Sequence, residues 1–184
     1  MRTTTTLTLL ITTLLLHSLT TAAAPTTRQC TNHLLNPSFE TGLTMPWLTI
    51  LESAFSTRGV VTTPNAHSGT HTFYAHATST IESTLTISQS YIPAPVGKVV
   101  ECYSWVRGRR GIGETRVDVF LDGVACGNAI LESGEEGWRR VGGSVNVAGG
   151  MPGMGSTVAV VLSTMMAGVG GWEVWIDDVG VVEC

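Results

Sequence analysis

Two sets of residues in this sequence have types and spacings that suit chemistry. The first is Asp177-Asp178, set within the run Gly171-Trp172-Glu173-Val174-Trp175-Ile176-Asp177-Asp178-Val179-Gly180-Val181-Val182-Glu183-Cys184. The run is apolar, β-branched and aromatic, with no proline, so it reads as a strand well inside a sheet. Neighbouring side chains on a strand point to opposite faces, so one of the two carboxylates is expected to face inward. There it needs a cation, an arginine or several hydrogen-bond donors. The second set is Glu101, Tyr103, Trp105 and Arg107, which alternation places on one face of a strand over residues 99–107. An aromatic pair flanked by a carboxylate and a guanidinium has the makings of a sugar-binding surface, and equally of a half-buried sheet face. Tyr91 is a further candidate for the same contact.

The elements that must position these residues are strands. Period-two or wholly apolar runs occur over 53–61, 70–77, 83–92, 99–107, 116–121, 124–130, 138–147, 156–164 and the closing stretch. Between them lie turn signals: Asn65-Ala66-His67-Ser68-Gly69, Pro93-Ala94-Pro95-Val96-Gly97, the hairpin pair Asp122-Gly123, and a glycine/methionine tract over 149–155. Residues 41–47 read as a turn leading to Trp47, and 165–171 as a connection. The almost wholly apolar 156–164 is expected at the centre of a sheet. No helix-length amphipathic segment and no internal repeat is present. The spacing predicts about nine or ten strands in one all-β module, an antiparallel β-sandwich.

Residues 1–23 read as a secretory signal peptide: Arg2, an apolar run to Leu19, then small residues around Ala22-Ala23-Ala24. The module is then 24–184, about 160 residues, enough for a single core. No later run has the roughly 18 apolar residues of a membrane helix. Of 10 Lys+Arg and 14 Asp+Glu, loss of Arg2 leaves nine basic groups, a net charge of −5 with neutral histidines. That balance, with only 13% charged residues, argues against nucleic acid as a partner. Asn36 is followed by proline, and no N-glycosylation acceptor is found. Export to an extracellular, oxidising compartment makes disulfides of the four cysteines. Three connectivities are open, and Cys30–Cys184 with Cys102–Cys126 is expected, the first clasping the two ends of the domain and the second joining neighbouring strands. In the chain-entropy picture such loops are worth roughly 5 and 3.5 kcal/mol.

Several strings, in order, resemble the CenC-type carbohydrate-binding modules, families four and nine. They are Asn36-Pro37-Ser38-Phe39-Glu40-Thr41-Gly42 with Trp47; Ala66-His67-Ser68-Gly69-Thr70-His71-Thr72; Leu85-Thr86-Ile87-Ser88-Gln89-Ser90-Tyr91 with Pro95-Val96-Gly97-Lys98; Tyr103-Ser104-Trp105-Val106-Arg107-Gly108; Gly137-Trp138-Arg139-Arg140-Val141; and Trp175-Ile176-Asp177-Asp178-Val179. The resemblance implies a galactose-binding-like β-jelly roll whose first and last strands are neighbours. It implies a structural calcium held by Glu40 and Asp177 or Asp178, with main-chain carbonyls completing the shell. Trp47, Trp138 and Trp172 would be core. The ligand it implies is a polysaccharide or oligosaccharide, stacked on aromatics such as Tyr103 and Trp105 and hydrogen-bonded by Glu101 or Arg107.

Catalysis finds little footing. His67 and His71 are four apart, but Ser68-Gly69 between them makes a turn rather than a helical zinc site. No serine sits in a nucleophile elbow. Glycoside hydrolysis needs two carboxyl groups about 5–9.5 Å apart across a cleft, and only Asp177/Asp178 stand out. The expectation is a secreted, non-catalytic carbohydrate-binding protein. Two other classes remain open: a cell-surface interaction protein using the sandwich for protein contacts, and an accessory to, or weak form of, a glycoside hydrolase.

Overall fold

The computed structural model describes residues 29–52, 55–78, 82–109, 114–132, 137–149, 153, 155–164 and 168–184. The signal-peptide segment 1–23 and parts of the expected loops, 150–152 and 165–167, lie outside the described residues. Eleven strands follow in order: β1 (Thr31–Asn32), β2 (Leu48–Glu52), β3 (Phe55–Thr62), β4 (His71–Ala77), β5 (Ser83–Ile92), β6 (Val99–Arg109), β7 (Thr115–Leu121), β8 (Val124–Leu131), β9 (Arg139–Asn146), β10 (Ser156–Thr164) and β11 (Trp172–Glu183). Among the described residues there is no helix. Every pairing is antiparallel. Sheet A runs β3-β4-β11-β6-β9, with β1 added to β11, and sheet B runs β2-β5-β10-β7-β8. The two layers make the antiparallel jelly-roll sandwich expected from the strand pattern. As expected, β10 and the closing strand β11 are central.

The core lies between the sheets and follows strict alternation. On β10, Val158, Val160 and Leu162 are fully buried while Thr157, Ala159, Val161 and Ser163 face outward. Sheet A contributes Phe73, Val106, Val174 and Ile176 to the same interior. At one end Phe39 plugs the core, its ring centroid 5.7 Å from that of Trp47 and 5.9 Å from that of Phe73. Both disulfides pair as expected, Cys30–Cys184 and Cys102–Cys126. The second differs in what it joins. Cys102 is on β6 of sheet A and Cys126 on β8 of sheet B, so the bond pins the two layers together. There the sheets come close enough that a Cβ on Gly127 would lie 2.9 Å from the Gly142 Cα.

Two expectations are corrected here. Residues 48–52 form strand β2, a run not expected as a strand, whose alternating Leu48 and Ile50 point to solvent and not to the core. Neither aspartate of β11 enters the core. A bulge between Asp177 and Gly180, with Asp178 at φ 41°, inserts one extra residue, so Ile176 and Val179 both face inward. Asp177 lies across from Trp105 on the outer face of sheet A, yet it is 0% exposed. Something must cover that face.

Candidate binding site on the outer face of sheet A

The cover is the connection between β3 and β4, residues 63–70, which folds back over sheet A as a strap. Its position follows from hydrogen bonds to charged residues beneath it. The N–H groups of His67 and Ser68 donate to Asp177 Oδ2 at 2.9 and 3.2 Å, and the N–H of Asp178 donates to Asp177 Oδ1 at 2.8 Å. The buried carboxylate is thus met by three backbone donors. Burial nevertheless pushes its carboxyl up to about 6, outweighing those donors, and the neighbouring charge of Asp178 adds to the rise. Asp178 accepts from Ser68 Oγ at 2.8 Å and lies 2.5 Å from His67 Nδ1. The far foot of the strap is held by Glu40, whose Oε1 accepts the N–H groups of Thr70 and His71 at 3.0 and 2.8 Å. The His71 N–H foremost holds the Glu40 carboxyl below its usual value. Gly69 permits this contact: its φ is 59°, and a Cβ there would overlap the Glu40 carboxyl carbon.

Glu40 reaches the strap because of the loop before it. Asn36 donates from Nδ2 to the carbonyls of Leu43 and Met45 and accepts the Thr41 N–H at Oδ1, tying residues 36–45 into a knot. Trp47 Nε1 donates to the Asn36 carbonyl at 3.0 Å. The knot turns Phe39 into the core and Glu40 outward.

On its upper side the strap crosses β11 and β6 and ends against β9. The His67 ring stacks on Trp105, with centroids 3.8 Å apart and planes 20° from parallel, and meets Trp138 edge-on at 5.8 Å. Trp138 Nε1 donates to the Asn65 carbonyl at 3.0 Å. Trp138, expected in the core, is therefore a half-buried anchor for the strap, whereas Trp47 and Trp172 are core as expected.

Glu101, Tyr103, Trp105 and Arg107 do share the outer face of β6, but the strap divides them. On one side, Tyr103 lies against Gly180, where a Cβ would come within 2.4 Å of the ring. The Arg140 guanidinium sits 4.0 Å from the Tyr103 centroid and donates to Glu101 Oε2 at 3.0 Å. Ser144 Oγ donates to Glu101 Oε1; that bond and then Arg140 hold the Glu101 carboxyl low. On the other side, Arg107 lies over Trp175 at 5.5 Å, and its Nε is buried with no hydrogen-bond partner among the described residues. Trp175 contacts Tyr74 at 5.2 Å. Tyr91 is not brought to this face: it is 69% exposed on β5 of sheet B.

Between the strap and β1 lies a pocket of about 280 Å³, lined by Asn32, Pro37, His67, Tyr103, Trp105, Asp178 and Val179. Asn32 shapes it, donating to the Val179 carbonyl and accepting the N–H groups of Leu34 and Val181. Tyr103 and Trp105 were legible as candidates, and His67 and Asn32 were not. Glu40, Asp177 and Asp178, the carboxylates expected to hold a structural calcium, each accept hydrogen bonds from the strap, and among the described residues no three histidine, cysteine or acidic side chains converge.

No protein-family model matches the sequence, and no curated protein matches it. Solved structures do match in shape. One is TmCBM61 in complex with beta-1,4-galactotriose, at TM-score 0.56 and 22% identity, covering 83% of this chain and 98% of that one. Another is the Stig cyclase Fisc from Fischerella sp. TAU in complex with an indole compound, at TM-score 0.57 and 15% identity, covering 84% of this chain and 98% of that one. A third is the CBM22-1–GH10 part of Clostridium thermocellum endo-1,4-beta-D-xylanase 10B complexed with xylohexaose, at TM-score 0.51 and 13% identity, covering 80% of this chain and 27% of that one. At such identities the likeness establishes a fold, and that fold is the β-sandwich found in carbohydrate-binding modules and in at least one cyclase.

Proposed function

We propose that this chain is a secreted, non-catalytic carbohydrate-binding protein of CenC-like type that takes its ligand on the outer face of sheet A. The observation that supports this most is the pocket beside the strap, where the aromatic walls Tyr103 and Trp105 meet the polar pair His67–Asp178. A pyranose ring has an apolar face for the aromatics and equatorial hydroxyls for the polar groups. One face of Trp105 is already taken by His67, and Tyr103 lies against both Arg140 and Gly180, so the sugar meets the remaining face of Trp105 and the ring edges. The fold likeness to modules solved with galactotriose and xylohexaose agrees with this reading. Two disulfides accord with an extracellular setting. Among the described residues no helix is long and apolar enough to cross a membrane.

The test is a glycan array followed by an insoluble-polysaccharide pull-down. Binding is expected for the native chain and for Tyr91→Ala, and its loss for Trp105→Ala with an unchanged circular-dichroism spectrum. Release of reducing ends from any bound glycan by the pure protein would overturn the non-catalytic part. A second reading, a module for protein contacts, is favoured by one feature: the edge strand β2 and the loop before it expose Met45, Leu48 and Ile50 at 77, 62 and 53%. Binding retained by Trp105→Ala but lost on Leu48→Ser with Ile50→Ser would move the assignment there.

A further inference from the structure

A sheet edge is an open row of N–H and C=O groups, and native folds guard such rows with charges, bulges or a covering layer. This sandwich has four edges, β3 and β9 in sheet A and β2 and β8 in sheet B. Three of them are guarded. β3 carries the exposed Arg58 and a bulge between Phe55 and Thr57. β9 begins with Arg139 and Arg140, both exposed. β8 bulges in its pairing with β7, and its Cys126 is bonded to Cys102 of sheet A, where Gly127 and Gly142 approach each other.

The fourth edge, β2, has no such device among the described residues. Its register with β5 is unbroken from Leu48–Ser88 to Glu52–Thr84, and no charged residue occurs from Thr41 to Leu51. Leu48 and Ile50 point to solvent there, and the chain before β2 widens the apolar surface. The Leu35 N–H donates to Gln89 Oε1, and Gln89 Nε2 donates to the Leu35 carbonyl, both at 2.8 Å. Gln89 is the neighbour of Ser88, which pairs with Leu48, so Leu35 is held at the start of β2. Asn36 gathers Leu43 and Met45 to the same place through their carbonyls. All five apolar side chains are more than half exposed. Together they leave on the order of 500 Å² of apolar surface bare, near the upper end for a monomer.

We propose that β2 is a dimer edge: two copies of the chain pair it antiparallel with itself about a two-fold axis at Thr49, joining their sheets B into one. With the axis there, Leu48 of each copy lies opposite Ile50 of the other, so apolar side chains meet on the outer face while the open backbone row is paired. The row is uncharged, so a second copy sets no charge against its like. With the backbone ribbon added, the apolar patch comes close to the roughly 800 Å² per partner of a standard interface. The two-fold uses up both β2 edges, and assembly stops at two. An axis that pairs strands side by side stands perpendicular to the sheet, so both sheet A faces turn to one side and both pockets stay open. Dimerisation therefore does not rest on the carbohydrate reading.

Sedimentation velocity over roughly 1 to 300 μM, a range that reaches weak dimers, tests this on the native chain, Ile50→Lys and Val124→Lys. Ile50 and Val124 are exposed on opposite edges of sheet B, so both lysines face water, and circular dichroism checks the fold. The native chain and Val124→Lys are expected at twice the monomer mass at the top of the range, and Ile50→Lys at the monomer mass throughout. A native chain that is monomeric at every concentration overturns the proposal. A dimer that survives Ile50→Lys does so too, because it places the contact elsewhere. Hydrogen exchange on the native chain gives a second reading that no substitution can confound. Amide protection within Leu48 to Leu51 is expected to fall by more than about tenfold on dilution, while that of β10 holds. Protection of β2 that ignores concentration overturns the dimer edge and leaves glycan binding, measured by the pull-down, untouched.

Discussion

The two outer faces of the sandwich are made by the same alternation and look nothing alike. On the central strands of sheet B the outward residues are short, Thr84, Thr86 and Ser88 on β5 and Thr157, Ala159, Val161 and Ser163 on β10, whereas the flanking strands β2 and β7 turn Leu48, Ile50 and Phe120 outward. The short residues pair across strands in register, and the charged feature beside them is Arg116, which donates to Asp118 on its own strand at 2.7 and 3.0 Å. On sheet A the outward residues are Tyr74, Trp175, Tyr103, Trp105 and Arg107, with a loop laid over them and an aspartate sealed beneath it. Folding requires one apolar face per sheet, and the inner faces already supply it. The two central strands of sheet B show what an outward face needs when packing is its whole task. The rings, the strap and the buried acid of sheet A exceed that need, and the excess is the physical case for a site.

The sharpest way to break the contrast is to remove one aspartate from each face. Asp177→Ala strands three backbone N–H groups and is expected to cost about 3–5 kcal/mol at pH 5 by urea unfolding. Asp118→Ala, which loses a solvent-facing pair, should leave the midpoint where it was. Equal effects would erase the distinction between the faces. The next largest effect is in pH. A carboxyl raised to about 6 in the fold gives a contribution fully present below its ordinary 3.8 and lost as pH rises through 6, up to roughly 3 kcal/mol. Glu40, held low, acts the opposite way, its contribution present above 4.5 and lost on acidification. Stability measured from pH 4 to 7 should therefore carry a falling component that Asp177→Asn abolishes and Asp118→Asn keeps.

Smaller again is Trp105→Ala, expected to cost about 2 kcal/mol because the ring is half-buried and stacked on one side only. A loss below that of Val161→Ala on sheet B would mean that the strap does not rest on it. The smallest effect is that of a chelator. With every candidate carboxylate already paired, melting curves in calcium and in excess EDTA should coincide. A chelator-induced drop in Tm would put an ion under the strap after all.

Much of the frame was legible in the sequence because it rests on local rules. β5 and β10 occupy the runs read from alternation, and β6, β8 and β11 differ only at their ends. The cysteine pairing is the one expected among three that were open, and the shared face of Glu101, Tyr103, Trp105 and Arg107 was legible from parity alone. What escaped was whatever depends on the direction a loop takes. Asn65 to Gly69 announces a turn, but nothing local says that it bends over the sheet toward residues 110 positions later. Trp138 looked like core for the same reason, since an aromatic beside a strand does not reveal that its indole N–H is committed to another loop. The aspartate pair was misread because alternation fails at a bulge, and a bulge has no signature in Asp177-Asp178-Val179-Gly180 beyond its glycine.

The distance along the chain between the strap and its aspartates has a consequence for how the protein is made. On a ribosome, His67 emerges long before Asp177 and Asp178, its partners 110 and 111 residues later. The strand that carries those partners lies between β4 and β6, so the sheet cannot close until that strand inserts. Until then Trp105 and Trp175 remain without the neighbours that cover them, a natural substrate for chaperones. The pocket is therefore among the last things to exist in biosynthesis, and a molecule able to bind there has by that fact finished folding.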